Sequence, residues 1–189
     1  IKPGSLIVDH STTSANLSRE LGAIANQLNC NFIDAPVSGG EKGAIDGKLA
    51  IMCGGSSESF NLAKSIMECY ATKISLMGPH GSGQLCKMVN QICIAGLLQG
   101  LSEGVNFAKN AGLDVEQVIE IISKGAAQSW QLDNRAVTMY QDQFDFGFAL
   151  KWMRKDLDFS CSEALKNSSP FPITGQILGY YEELEQAGD

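Results

Sequence analysis

Apolar and polar positions along this chain follow two different rhythms. From residue 1 to about residue 80, short apolar runs alternate with stretches of helical spacing. "SLIVD" (5–9) is an apolar run that ends in the polar loop "HSTTS", after which Leu17, Leu21, Ile24, Ala25 and Leu28 recur every three or four positions. That order predicts strand, loop, helix. "CNFIDAPV" and "KLAIMCGG" predict two further strands joined by the glycine-rich "SGGEKGAIDG", and "KISLMG" a fourth after a helix over about 57–70. Four short strands with helices between them read as α/β.

Beyond Gly78 the strand signals stop. Apolar positions recur at helical spacing from Gln84 to about Asn110 without a proline, which predicts a helix of about 40 Å at 1.5 Å per residue. "GLDVEQVIEIISKG" predicts another, with Asp114 as N-cap, Gln117 completing a capping box, and Gly125 closing it in a left-handed conformation. Val115, Val118, Ile119 and Ile122 would form its buried stripe. Further helices are expected over about 129–141, 148–165 and 173–185. The chain therefore reads as α/β followed by all-α, an α/β domain over 1–80 and a helical domain over 81–189 that begins with a long interdomain helix.

Composition narrows the function classes. The 189 residues are 44% hydrophobic, enough for a substantial core. Formal net charge is -7, from 14 basic and 21 acidic residues, and no Lys/Arg run forms a patch, so the expectation is a small-molecule partner and no nucleic acid. The six cysteines contain no CxxC pair and sit mostly in apolar stretches, which reads as buried free thiols in a reducing, cytoplasmic setting. No apolar run has the length of a membrane span, and no basic-then-apolar leader is visible. The start at Ile1, on the brink of a strand, suggests that an N-terminal part lies outside this sequence.

Candidate chemistry concentrates in three places. In "DAPVSGGEKGAIDGK" (34–48), Gly39, Gly40, Gly43 and Gly47 free the backbone for turns whose N–H groups can take a carboxylate or phosphate, although a plain hairpin connection would use Gly39-Gly40 as well. On the long helix, Lys87, Asn90 and Gln91 stand at i, i+3 and i+4 and share one face. A lone lysine there would snorkel to water, but among polar partners at a buried interface it would have a lowered pKa suited to proton transfer. In "DHSTT", Ser11, Thr12 and Thr13 follow a strand and reach the carboxyl end of a sheet, where open α/β folds bind ligands, while Thr13 or Ser14 caps the next helix. Lys151, Arg154 and Lys155 read most simply as a solvated helix face, Trp130 and Trp152 as core, and His10 and His80 as unsuited to a metal site.

In this order, "VDHST", "DAPVSGGEKGAIDGKLAIMCGG", "GSGQLCKMVNQ" and "FDFGFALKWMRKDL" resemble the β-hydroxyacid dehydrogenase family, which includes 3-hydroxyisobutyrate dehydrogenase, tartronate semialdehyde reductase and, more distantly, 6-phosphogluconate dehydrogenase. The match spans residues 8–157, and the DAPVSGG stretch followed by the GxGxxxK helix is its most specific part. The resemblance implies an oxidoreductase using NAD or NADP, with a Rossmann-type domain, a long interdomain helix and a helical C-terminal domain that helps build a homo-oligomer, a dimer or tetramer. It places Ser38, Gly39 and Gly40 in the loop that holds the substrate carboxylate, the Ser38 hydroxyl included. Lys87 takes the position of the catalytic lysine and Asn90 that of the first of two usual asparagines. Thr12 and Lys155 fall where the family approaches its cofactor, and Phe148 lies in the same cofactor-side motif.

Three departures qualify the match. The second asparagine is Gln91, as in the tartronate semialdehyde reductase branch, and the proline that follows "ST" in the family is Ala15. No GxGxxG follows a predicted strand near the start, so the family's pyrophosphate site and the residue selecting NAD or NADP are expected outside this sequence, as is its last helical part. A non-catalytic assembly module or a 6-phosphogluconate-type decarboxylase are the alternatives. Retention of Lys87 argues against the first, and the absence of visible sugar-phosphate contacts against the second.

Overall fold

A computed structural model describes residues 1–188. They form two compact units, one of residues 1–91 with 154–170, the other of residues 92–153 with the segment from Phe171 onward.

The first unit is built on a sheet. Strands β1 (Leu6–Asp9), β2 (Asn31–Asp34), β3 (Val37–Ser38), β4 (Leu49–Gly55) and β5 (Ala71–Gly78) alternate with helices α1 (Ala15–Gln27), α2 (Gly40–Ile45) and α3 (Ser57–Met67). β1 pairs parallel with β2, β2 and β3 pair antiparallel with β4, and β4 pairs parallel with β5. The strand expected over "CNFIDAPV" is split in two, yet one register runs through both halves: Ile33 faces Gly55, Asp34 faces Gly54, Val37 faces Ile51 and Ser38 faces Ala50. The interruption has a local cause. Ala35 turns its N–H to Asp9 O at 2.7 Å and Pro36 has none to give, while Pro36 O still accepts from Met52 N–H at 3.0 Å.

Ile33, Ala35, Ile51, Cys53, Ala63 and Met67 fill the core between sheet and α3. Ser14 caps α1 by accepting from Leu17 N–H. The glycine-rich connection is not all turn, because residues 40–45 form the short helix α2. Gly39 and Gly40 lead into it at φ +131° and +63°, a region that only glycine enters easily.

Helix α4 (Ser82–Asn110) starts in this unit, and α7 (Leu150–Asn167) ends in it. The start of α4 is fixed by close backbone approach. A Cβ on Gly83 would stand 2.4 Å from Met52 O and 2.7 Å from Asp34 O, so any larger residue would push the helix off β4.

The second unit holds the rest of α4 with α5 (Val115–Ile122), α6 (Trp130–Tyr140) and α8 (Pro172–Ala187). Its core is Ala108, Val115, Ile119, Leu132 and Ala136. Asp114 caps α5 by accepting from Gln117 N–H, but the Gln117 side chain donates to the same carboxylate, so the capping box is not reciprocal. Gly125 does not take the left-handed conformation expected of it, because α5 already ends at Ile122 with Ser123 as C-cap. Ile122 is 37% exposed and only edges the expected buried stripe. Trp130 and Trp152 are exposed rather than core, Trp130 lying under the Arg135 guanidinium and Trp152 near the Lys151 ammonium.

No helix among the described residues is long and apolar enough to cross a membrane. Among the described residues no disulfide forms, and Cys30 and Cys53 are buried while Cys69 and Cys93 are exposed.

Candidate active site

The site grows from the polar residues on two buried helical stripes. On α4, Gln84, Lys87, Met88, Gln91 and Ala95 are buried in turn, and on α7 so are Met153, Asp156, Leu157, Ser160 and Ala164. Spacings of three and four residues give each set one face. A glutamine, a lysine and a carboxylate on such faces need partners, since unpaired burial is costly.

Those partners form a continuous chain within the first unit. Ser38 Oγ donates to Asn90 Oδ1 at 3.3 Å, Asn90 Nδ2 donates to Gln91 Oε1 at 2.8 Å, and Gln91 Nε2 donates to Asp156 Oδ2 at 2.7 Å. The Lys155 ammonium lies 2.9 Å from Asp156 Oδ1 and donates to Thr12 O. Of the residues singled out from sequence, Ser38, Asn90, Gln91, Lys155 and Thr12 are thus joined in one network, with Asp156 as its hinge. Lys155 is half-buried and engaged rather than part of a solvated face.

Lys87 sits in the same electrostatic neighbourhood. It is 7% exposed, and burial holds its ammonium below the ordinary lysine range; the Asp156 carboxylate pulls it part of the way back up and the Lys155 charge pushes it down again. A lysine so placed holds its proton less tightly than one in water.

The loops around this network are pinned by buried polar groups. Gln84 Oε1 accepts from Thr13 N–H at 3.0 Å while its Nε2 donates to Ser11 O at 2.8 Å, which fixes the backbone on both sides of Thr12. Asp34, fully buried, accepts from Gly81 N–H at 2.8 Å and from Gln84 N–H at 3.1 Å, so a carboxylate covers the amide end of α4. Burial raises the pKa of Asp34, and those two N–H donors oppose the rise. His10 Nδ1 donates to Ala35 O at 2.6 Å, which leaves Nε2 to accept from the Tyr70 hydroxyl at 3.0 Å. That clamp ties the "DHSTT" loop to the base of the Ser38 loop.

Phe148 belongs to the second unit, where it is exposed and takes φ +54°. Asp34, Gln84 and Asp156 were not singled out from sequence. Asp156 was within reach, since it falls on the apolar period of its helix directly after Lys155; Asp34 and Gln84 gave no signal, because only the fold shows what their oxygens cap. Among the described residues no group of three or more His, Cys, Asp or Glu side chains is placed to hold a metal ion.

A parallel β1–β2 pair with polar loops at its carboxyl ends, followed by a long helix bearing a buried lysine, defines the later part of a Rossmann-type nucleotide-binding domain joined to helices. Residues 81–189 match the family described as NAD-binding of NADP-dependent 3-hydroxyisobutyrate dehydrogenase, and residues 1–78 match the NAD binding domain of 6-phosphogluconate dehydrogenase. The chain belongs to the 3-hydroxyisobutyrate dehydrogenase/β-hydroxyacid dehydrogenase family, a family of NAD(P)-dependent oxidoreductases.

Its relatives include an uncharacterized oxidoreductase of Shewanella frigidimarina, 53% identical over 182 residues, which cover 96% of this chain and 62% of the relative. The 2-hydroxy-3-oxopropionate reductase of Escherichia coli is 37% identical over 171 residues, covering 90% of this chain and 59% of the enzyme. A crystal structure of 3-hydroxyisobutyrate dehydrogenase from Salmonella typhimurium superposes with a TM-score of 0.90 at 27% identity, over all of this chain and 66% of that one. The chain thus spans about three fifths of the length of the curated relatives it matches.

Proposed function

We propose that the protein interconverts a small β-hydroxyacid and its semialdehyde or keto form, with NAD or NADP as hydride carrier and Lys87 as general acid and base. The observation that carries this reading is the buried Lys87 with its weakened hold on its proton, set beside the Ser38–Asn90–Gln91–Asp156 network.

The residues present fit a nicotinamide cofactor. The backbone at Thr12, at the carboxyl end of β1, is held rigid by Gln84 and Lys155, which is where open α/β sheets receive such ligands. Thr12 and Lys155 would hold the cofactor. When bound, it supplies or accepts the hydride.

The rest is done by this chain. The N–H groups of Gly39 and Gly40, with the Ser38 hydroxyl, hold the substrate carboxylate and fix the reacting carbon for transfer. Lys87 Nζ gives its proton to the carbonyl oxygen in reduction and takes it from the hydroxyl in oxidation. Asn90 orients the substrate, its own amide being fixed by Gln91. From the scattered cysteines without a CxxC pair we place the protein in the cytoplasm, and from the family resemblance we expect a homo-oligomer. The direct test follows nicotinamide absorbance with tartronate semialdehyde, 3-hydroxyisobutyrate and related short acids, for wild type and Lys87→Ala. Turnover of one acid that collapses in the variant supports the reading; equal activity in both removes Lys87 from the mechanism.

A further inference from the structure

Strand β1 ends in a substitution of side chain for backbone. Its register pairs Leu6 with Asn31 through Asp9 with Asp34, and Ala35 N–H donates to Asp9 O. A parallel ladder continued by one more bond would bring Ser11 N–H to Ala35 O. Instead Ser11 N–H turns back to Asp9 Oδ1 at 2.9 Å, and the Ala35 oxygen is taken by His10 Nδ1 at 2.6 Å. The imidazole thus supplies one rung of the ladder. The strand stops at Asp9, and Ser11, Thr12 and Thr13 are released into the loop that Gln84 grips.

This substitution works with only one tautomer. A carbonyl oxygen accepts and never donates, so Nδ1 carries the proton and Nε2 of the neutral ring can only accept. The Tyr70 hydroxyl answers Nε2 at 3.0 Å, its ring edge-on to the imidazole. Burial raises the pKa of Tyr70, which keeps that hydroxyl a donor. Without the phenol the proton is free to move to Nε2, and Nδ1 would then meet the Ala35 oxygen lone pair to lone pair. Ala35 is fully buried, so its oxygen has no water to turn to.

His10 stands two residues before Thr12, and Ala35 three before Ser38. We propose that His10, held by Tyr70 with its proton on Nδ1, is a positioning residue that sets the cofactor-side loop at Thr12 against the substrate-side loop at residues 38–40. The inference rests on the oxidoreductase reading above, in which those two loops hold the two reactants. His10 governs how the reacting carbons meet for hydride transfer rather than how tightly either ligand binds.

The experiment measures kcat and KM of the intact protein with the acid it turns over best, for variants shown to be folded by circular dichroism. His10→Leu should lower kcat about ten- to hundred-fold, the cost of a small misplacement of reactants, with KM changed less than about three-fold. His10→Asn should restore most of kcat, because its amide nitrogen takes the place of Nδ1 and donates to Ala35 O without needing a tautomer set. Tyr70→Phe should lower kcat in wild type and have no further effect in His10→Asn. A residue that only supports the fold would give the Tyr70→Phe loss in both backgrounds, and that result overturns the proposal, as does His10→Asn no better than His10→Leu. If wild type turns over no acid, the oxidoreductase reading fails separately, and amide hydrogen exchange of the same proteins decides. Faster exchange at residues 11–13 and 37–40 in His10→Leu and Tyr70→Phe, restored in His10→Asn, upholds the brace between the loops; unchanged exchange there, or faster exchange throughout the sheet, overturns it.

Discussion

Gln91 Nε2 donates to Asp156 Oδ2 at 2.7 Å, joining two helices whose partner residues lie 65 positions apart in sequence. Both side chains are 2% exposed. The bond therefore stands where neither group can fall back on water, and it sets the orientation of everything between Asp156 and Ser38.

Shortening that link should be costly. Gln91→Ala leaves Asp156 Oδ2 and Asn90 Nδ2 without this partner, and one buried group left unsatisfied costs about 1–3 kcal/mol. Urea denaturation should show the midpoint falling with m unchanged. A loss under about 0.5 kcal/mol, the level of a neutral surface change, would contradict the account.

Lys87 should trade stability for function. Its pKa is lowered in the folded chain from an ordinary 10.5, so between the folded and unfolded values the unfolded state binds more protons. Stability from this group therefore rises with pH across that window, and below it the buried ammonium is a standing cost. Lys87→Met should raise the denaturation midpoint at pH 7, with a gain that shrinks toward pH 10, while turnover falls by about 10²–10⁴, the usual contribution of general acid–base catalysis. A variant that is less stable than wild type at pH 7 would refute the assignment of a buried, strained charge.

These residues show what the chain's pattern discloses and what it hides. Helix positions were legible because Leu, Val, Ile and Ala recur at three- and four-residue spacing, and Lys87 with Asn90 and Gln91 stood out as polar residues on such a face. The strand split at Pro36 was not legible, since it arises from the Ala35 N–H turning to Asp9 across the sheet. Trp130 and Trp152 were misplaced because size and hydrophobicity predict burial only where a partner surface exists, and in this chain each pairs with a cation at the surface instead. Asp34 reads as a strand residue, and its role as the cover of α4's amide end depends on a helix 47 positions away.

The pH dependence of turnover should move when Asp156 loses its charge. Asp156 raises the Lys87 pKa against the lowering by burial, so Asp156→Asn should lower it further. With Lys87 as the proposed general acid, reduction would need it protonated, and the falling limb of its pH profile should shift to lower pH in the variant. Oxidation needs the neutral amine, and its rising limb should shift the same way. Initial rates over pH 6–10 in both directions test this, and a shift toward higher pH in either would show that Asp156 does not act on Lys87 through its charge.

The position of Lys87 depends in turn on how closely α4 meets the sheet. Gly83→Ala would bring a Cβ to 2.4 Å from Met52 O and 2.7 Å from Asp34 O, contacts with backbone that cannot swing aside. The helix start must then move, straining the Asp34 bonds to Gly81 and Gln84 and, through Gln84, the loop at Thr12. Overpacking of this kind costs about 1–3 kcal/mol. Gly96→Ala on the same helix is the control, since its Cβ would meet nothing within 4 Å, and replacing a mid-helix glycine by alanine should stabilise by about 1 kcal/mol. Thermal denaturation of the two variants should therefore give shifts of opposite sign; a Gly83→Ala variant as stable as Gly96→Ala would mean that the helix start is not held by this contact.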